Sequence, residues 1–145
     1  MTDKPSPQEA LIYLMVVMSA ADRDMTDAEL SSIGRLVRTL PVFDGFDQER
    51  ILPTARQCQQ LLQQPDGPER VLDLVRDTVP PSLHDTAYSL AVDVVAADLY
   101  VEPEEMRMLQ IIRRRLKLEP LVAAAIERAA RARHRTLETA LQAAQ

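Results

Sequence analysis

Three features of this 145-residue sequence predict an all-α fold. Only three residues are glycine, far below the average of about 7%, which disfavours a turn-rich β fold. Apolar residues make up 46% of the chain, the proportion of an ordinary globular protein. Apolar side chains also recur three and four residues apart behind helix-capping signals. The length fits a single domain, so we predict one helical bundle over residues 1–145.

The first predicted helix follows the capping box Ser6-Pro7-Gln8-Glu9 and is apolar on nearly every side. Its apolar run, Ala10 to Met18, is shorter than the roughly 20 residues that span a bilayer, so we expect a helix buried at the centre of the core. A second capping box, Thr26-Asp27-Ala28-Glu29, begins the next helix. The apolar stripe of that helix is Leu30, Ile33, Val37 and Leu40.

Two further helices occupy the middle of the chain. Asp47 caps the third helix, which the segment 63–68, rich in Pro and Gly, brings to an end. The stripe of the third helix is Ile51, Ala55, Cys58 and Leu62, and that of the fourth is Val71, Leu72, Val75 and Val79. We also expect Phe43 and Phe46, in the turn before the third helix, to pack back onto the core.

Three helices complete the bundle. The fifth begins at Ser82-Leu83-His84-Asp85 and is apolar on most sides, with Asp93 predicted on a narrow solvated stripe. The sixth begins at Glu102-Pro103, and its stripe is Met106, Leu109, Ile112 and Leu116. The seventh, Leu121 to about Leu141, is rich in Ala and Arg and is expected to be kinked or frayed.

The sequence contains an internal repeat. Ser19-Ala20-Ala21-Asp22 followed by Glu29 aligns with Val95-Ala96-Ala97-Asp98 followed by Glu105, at an offset of 98 − 22 = 76 residues. Each copy combines an apolar helix, an acidic loop and an amphipathic helix. We therefore expect two helical hairpins that pack with approximate two-fold symmetry and bring the two acidic loops to related positions.

The aligned copies do not share polarity at every helix position. Val17 of the first copy aligns with Asp93 of the second, and Val37 aligns with Arg113.

The paired Ala-Ala-Asp…Glu segments resemble the duplicated Ala-Asp-Gly…Glu motif of TerB-like tellurite-resistance domains, over residues 8–132. That resemblance implies a helical bundle with its core at about 8–132, a basic helical tail at 133–145, and a cytoplasmic location or one peripheral to the inner membrane. It also implies a metal site formed by the acidic residues of the two loops. The Gly that follows each Asp in the family motif is Arg23 and Leu99 in this chain.

Carboxylates are dense in both loops, and two interpretations remain open. Clustered carboxylates supply the oxygen ligands of hard cations, so Ca²⁺ or Mg²⁺ is favoured over Zn²⁺. The alternative is structural, because a Glu at the third position of a helix caps its first turn, as Glu29 and Glu105 do in the predicted helices. The predicted metal ligands are Asp22, Asp24, Glu29, Asp98, Glu102 and Glu105.

The remaining residue patterns give no support for an enzyme. Cys58 lies on an apolar stripe and is expected to be a core residue, and His84 and His134 have no second zinc ligand near them in the sequence. A Gly-rich phosphate loop and a Ser/His/Asp arrangement are both absent from the sequence.

The charge is distributed unevenly along the chain. Residues 1–105 carry 8 basic and 19 acidic side chains, a net charge of −11, whereas residues 106–145 carry 9 and 3, a net charge of +6. Such a basic region can contact an anionic membrane or an acidic protein, or it can form solvated helix faces that pair partly with the acidic half of the same domain. Nucleic acid is disfavoured because the whole chain is acidic and its basic residues are not interleaved with aromatic ones.

Two classes of function follow. The first is a non-enzymatic interaction module that binds other proteins of a stress-response assembly, with cation binding as a regulator. The second is a dedicated divalent-cation sensor or buffer. An accessory role in a J-protein co-chaperone system is a third alternative, suggested by the resemblance alone.

Overall fold

The computed structural model describes residues 4–20, 24–97 and 101–144, and within these ranges the chain forms eight helices and no strand. The helices are α1 (Pro7–Ala20), α2 (Asp27–Thr39), α3 (Ile51–Leu62), α4 (Gly67–Thr78), α5 (His84–Ala96), α6 (Pro103–Arg115), α7 (Pro120–Arg133) and α8 (Leu137–Ala143). Short 3₁₀ turns precede α3 and α5 and follow α2. The all-α prediction is confirmed.

Helix α1 is the centre of the bundle, as its apolar sequence predicts. Every residue from Ala10 to Met18 is at most 5% exposed, and α1 packs against α3, α4 and α5. Its capping box is formed, because Glu9 N–H donates to Ser6 Oγ and Ser6 N–H donates to Glu9 Oε1. Arg50 and Thr54 also donate to Glu9 Oε2, which ties the start of α1 to the region of α3.

The second repeat has the same helix boundaries as the first. Adding 76 to the bounds of α2, 27 and 39, gives 103 and 115, which are the bounds of α6. Helix α5 lies within one residue of the position that α1 predicts for it. The prediction of two equivalent helical hairpins is therefore supported for the helices themselves, α1–α2 and α5–α6.

The predicted seventh helix is two helices in the structure. Helix α7 ends at Arg133, and α8 begins after Thr136, whose hydroxyl oxygen accepts the N–H of Thr139 as an N-cap. Helix α7 packs along α5, whereas α8 has no buried residue. The break accounts for the kink expected in this segment.

The corner between α3 and α4 depends on Gly67. A Cβ at this position would lie 2.4 Å from the carbonyl oxygen of Leu62 and 2.6 Å from that of Leu61. The preceding residue, Asp66, has the left-handed backbone conformation, with φ of 56°. A side chain at position 67 would therefore require the backbone of the corner to move.

The core contains the predicted apolar stripes, with one exception. Phe43 is buried and meets Phe46 edge-on, with ring centroids 6.3 Å apart. Leu109, Ile112 and Leu116 are buried as predicted, but Met106, from the same stripe, is 50% exposed. Helical periodicity places Met106 on the inner face of α6, but Met106 lines an open groove between α5, α6 and α7.

Candidate functional site

Four of the six predicted cation ligands, Asp24, Glu29, Glu102 and Glu105, lie at or just before the starts of α2 and α6. Asp22 and Asp98, with the motif positions Arg23 and Leu99, lie outside the described residues. Glu29 Oε1 accepts the N–H of Thr26 at 2.9 Å, and Glu105 Oε1 accepts the N–H of Glu102 at the same distance. The predicted helix-capping role of Glu29 and Glu105 is thus observed in both repeats.

A cation site remains a prediction. Within residues 4–20, 24–97 and 101–144, no three Asp, Glu, His or Cys side chains are grouped closely enough to hold a metal ion. The donor chemistry fits a hard cation, because Asp24, Glu29, Glu102 and Glu105 all offer carboxylate oxygens. The complete ligand set needs Asp22 and Asp98.

A groove lies between α5, α6 and α7 and reaches the start of α8. Its volume is about 470 Å³, within the range of sites that bind small molecules. The apolar wall is formed by Val92, Val95, Val101, Met106, Leu109 and Ala130. Among the described residues, the ionisable side chains in its lining are Arg113, Glu127, Arg131, His134 and Arg135.

A part-buried hydrogen bond forms the floor of this groove. Tyr88 is 1% exposed, and its hydroxyl donates to Glu127 Oε2 at 2.6 Å. Arg113 Nη1 donates to the same carboxylate oxygen at 3.3 Å. Burial, reinforced by the hydrogen bond to Glu127 and the charge of that carboxylate, raises the pKa of Tyr88 well above its usual value. Tyr88 therefore stays protonated at physiological pH and holds the Glu127 carboxylate in place.

The prediction that Asp93 faces solvent is wrong. The Asp93 side chain is only 13% exposed, because the end of α7 lies over it. Arg133 Nη2 donates to Asp93 Oδ1, and His134 Nε2 lies 3.3 Å from the same oxygen. Spacing along α5 could not indicate a contact with residues about 40 positions away.

Part of the basic region is paired with the acidic half of the domain. Arg115 Nη1 lies 3.1 Å from Asp73 Oδ1 and also donates to the carbonyl oxygen of Glu69, which joins α6 to α4. Arg133 is paired with Asp93. The interpretation in which some basic residues pair within the domain is thus observed for these two arginines.

The other residues weighed as chemical sites have structural partners. Cys58 is fully buried, which raises the pKa of its thiol and makes it unreactive. Its Sγ lies 3.6 Å from the carbonyl oxygen of Tyr13. His84 Nε2 lies 2.9 Å from the carbonyl oxygen of Val79, so its ring contacts the backbone at the end of α4.

The residues that build the groove are ones that sequence patterns did not single out as a site. Two of the positions at which the aligned repeats differ in polarity lie on this side of the bundle. Asp93 and Arg113, which replace Val17 and Val37, both contact α7. These contacts join α7 to hairpin α5–α6 at two positions where hairpin α1–α2 has buried valines.

Comparison with known proteins identifies the family. The family model described as Tellurite resistance protein TerB matches residues 8–132. Neither the curated proteins nor the solved structures give a significant match. Within the described residues, no helix is both long and apolar enough to cross a membrane. With its match over most of the length and its two equivalent hairpins, the chain belongs to the TerB family of tellurite resistance proteins.

Proposed function

We propose that this TerB domain is a non-enzymatic interaction module that binds an acidic surface on another protein of a cytoplasmic stress-response assembly. The observation that carries the proposal is the outer surface of α7 and α8. Leu121 is 80% exposed on α7, and Leu137 and Leu141 are 76% and 59% exposed on α8. Leu137 and Leu141 are four residues apart and so lie side by side on α8, and adjoining exposed apolar side chains are typical of surfaces that bind partners.

The charge of this surface favours an acidic partner. Residues 120–143, which span α7 and α8, carry four Arg and two Glu, a net charge of +2, and Arg128 lies exposed on α7, two turns beyond Leu121. A positive surface attracts an acidic one during encounter, and the apolar side chains add to affinity once the two surfaces meet. A second copy of this chain and an anionic membrane are other acidic surfaces that the test below must distinguish.

Quantitative co-purification from the cells that naturally express the protein tests this proposal. The full chain serves as bait, and the variant Leu121→Ser/Arg128→Glu is compared with Arg38→Glu, which changes an exposed arginine on α2. We expect acidic proteins enriched by the wild type and by Arg38→Glu to be lost from the α7 variant. Equal recovery by all three baits, or loss of only self-association or vesicle binding, would contradict the proposal.

A divalent cation bound between the acidic loops is a second candidate function, as regulator or as sensor. It is supported by the equivalent starts of α2 and α6, each with acidic residues in its first turn. Calorimetry with millimolar Ca²⁺, Mg²⁺ or Zn²⁺ should give heat and raise the melting temperature with Ca²⁺ or Mg²⁺, and the variant Asp22→Asn/Asp98→Asn should show neither effect. An interaction module keeps its partner in that variant, whereas a sensor loses its ion-dependent behaviour.

A further inference from the structure

We propose that the groove between α5, α6 and α7 binds a single-chain amphiphile with an anionic oxygen head group, such as an alkyl carboxylate or alkyl phosphate. The aliphatic chain lies along the apolar wall, and the head group lies at Arg131 and Arg135. This binding site is separate from the outer surface of α7 and α8 invoked above.

The wall of the groove suits an aliphatic chain. Val92, Val95 and Leu109 line the groove and are each at most 6% exposed, while Met106, also in the lining, is 50% exposed. An unbranched thioether such as Met106 adapts easily to an apolar ligand. A volume of about 470 Å³ accommodates a chain of moderate length.

Two arginines in the lining of the groove favour a ligand with an anionic head group. Arg113 and Glu127 neutralise each other at the floor, and His134 contacts Asp93. Arg131 and Arg135 have no carboxylate within 4.0 Å in the part of the chain that the structure describes. Guanidinium groups bind carboxylate and phosphate through paired N–H donors, so two of them at one end of an apolar groove favour an anionic head group there.

Methyl NMR of the full chain, labelled with ¹³C at its methionine methyl groups, tests the proposal directly. The probes are decanoate and decyl phosphate below their aggregation concentrations, with decanol as the uncharged control. Met106 lies in the groove, whereas Met15 and Met18 lie in the core and serve as internal references. We expect saturable shifts of the Met106 signal with both anions, and affinity about tenfold weaker for decanol because it lacks the charge.

Two variants and one control examine the two ends of the groove. Arg131→Gln/Arg135→Gln should weaken decanoate binding about tenfold, whereas Arg128→Gln, on the outward face of α7, should leave it unchanged. Gln110→Trp places a large side chain in the groove from an exposed position on α6 and should abolish binding by all three probes. A thermal melt of each variant verifies that it is folded.

Several results would overturn the proposal. These are the absence of a Met106 shift with either anion, equal affinity for decanol and decanoate, or equal affinity of the Arg131→Gln/Arg135→Gln variant. Binding only to phosphatidylglycerol vesicles, with no response to monomeric probes, would also overturn it, because the arginines would then be a membrane contact. Different affinities for decanoate and decyl phosphate would identify which head group the site prefers.

Discussion

The hairpins α1–α2 and α5–α6 have matching boundaries but opposite relations to the rest of the molecule. In the first, Val17 and Val37 are each 2% exposed and packed into the core. In the second, the equivalent positions are Asp93 and Arg113, which bind the end and the middle of α7 through Arg133 and Glu127. At these positions hairpin α1–α2 therefore packs through apolar side chains, whereas hairpin α5–α6 contacts α7 through polar side chains beside the groove.

The difference shows how a repeated unit acquires a site. The central helices α1 and α5 keep their apolar faces against each other, so the shared core tolerates little change. The faces directed away from that core contact different elements in each repeat. Polar replacements there cost little stability when a partner such as Glu127 or Arg133 satisfies them.

The largest expected loss of stability comes from cavities in α1 and α5, and it tests whether these two central helices contribute equally to the core. Leu14 and Leu90 are aligned at the offset of 76, and both are at most 1% exposed. We expect Leu14→Ala and Leu90→Ala each to lower the free energy of unfolding by about 2–5 kcal/mol, because each leaves a cavity in packed core. Urea denaturation measures both. A loss below about 1 kcal/mol for either variant would mean that its helix is not part of a rigid core.

Removing the Asp93 carboxylate tests the polar contact that is found in hairpin α5–α6 and not in hairpin α1–α2. Asp93→Ala should lower the free energy of unfolding by about 1–2 kcal/mol, because Arg133 and His134 lose a largely buried acceptor. Hydrogen exchange should also accelerate at the end of α7 and not in α2. Asp93→Val, which copies the first repeat, should show the same local acceleration. Protection of residues 130–134 equal to the wild type would show that the carboxylate does not anchor α7.

Removing the Tyr88 hydroxyl should also lower the free energy of unfolding, but by less than removing the Asp93 carboxylate. Tyr88→Phe should cost about 1 kcal/mol, since Glu127 loses a buried donor at 2.6 Å. Tyr13→Phe is the matched control on α1, because its hydroxyl makes only a long 3.4 Å contact with Gln57, and it should cost about 0.5 kcal/mol or less. Equal losses in thermal denaturation would indicate that the floor of the groove adds nothing to stability.

Glu9 makes the stability of the first hairpin depend on pH. Burial raises the pKa of Glu9, but the Ser6 N–H and Arg50 outweigh that effect and hold it below the ordinary value of 4.5. The carboxylate thus stabilises the fold above pH 4.5, and the contribution is lost as the pH falls through the lower pKa of the folded state. Glu9→Gln should therefore be about 1 kcal/mol less stable than the wild type at pH 7 and nearly equal to it in acid. A stability difference that does not change between pH 7 and pH 3 would contradict this assignment.

The smallest expected change in stability comes from the difference between the C-terminal ends of α2 and α6. Helix α2 stops at Thr39 in extended backbone before Pro41, whereas α6 ends in a Schellman motif with Lys117 at φ of 55°. Gly is the residue that this conformation favours, so Lys117→Gly should raise stability by about 0.5–1 kcal/mol in thermal denaturation. Arg114→Gly, within α6, should instead lower stability by about 1 kcal/mol. A loss in both variants would show that backbone strain at Lys117 is negligible.

The sequence was sufficient to predict the helices and their inner faces. Ser6 with Glu9, and Thr26 with Glu29, are local signals, and the structure forms both capping boxes. Periodicity likewise identified α1 as the central helix. These features depend on residues within one or two turns of each other, which is the range over which capping and spacing act.

The groove could not be predicted, because it depends on which helix covers which face. Helical periodicity predicts that Met106 is buried as deeply as Leu109, yet in the structure only Leu109 is buried. The pairing of Asp93 with Arg133 depends on α7 returning along α5, a contact over 40 residues of chain. The cation site, with Asp22 and Asp98 outside the described residues, stays a prediction.

The corner between α3 and α4 requires glycine at position 67 in any sequence that adopts this fold. Because any Cβ there would overlap the carbonyl oxygens of Leu61 and Leu62, even alanine requires the chain to be rerouted. A saturation library at codon 67, selected for folded protein, should return glycine alone, while neighbouring Gln64 accepts many replacements. The absence of a side chain at position 67 thus allows the start of α4 to lie directly against the end of α3.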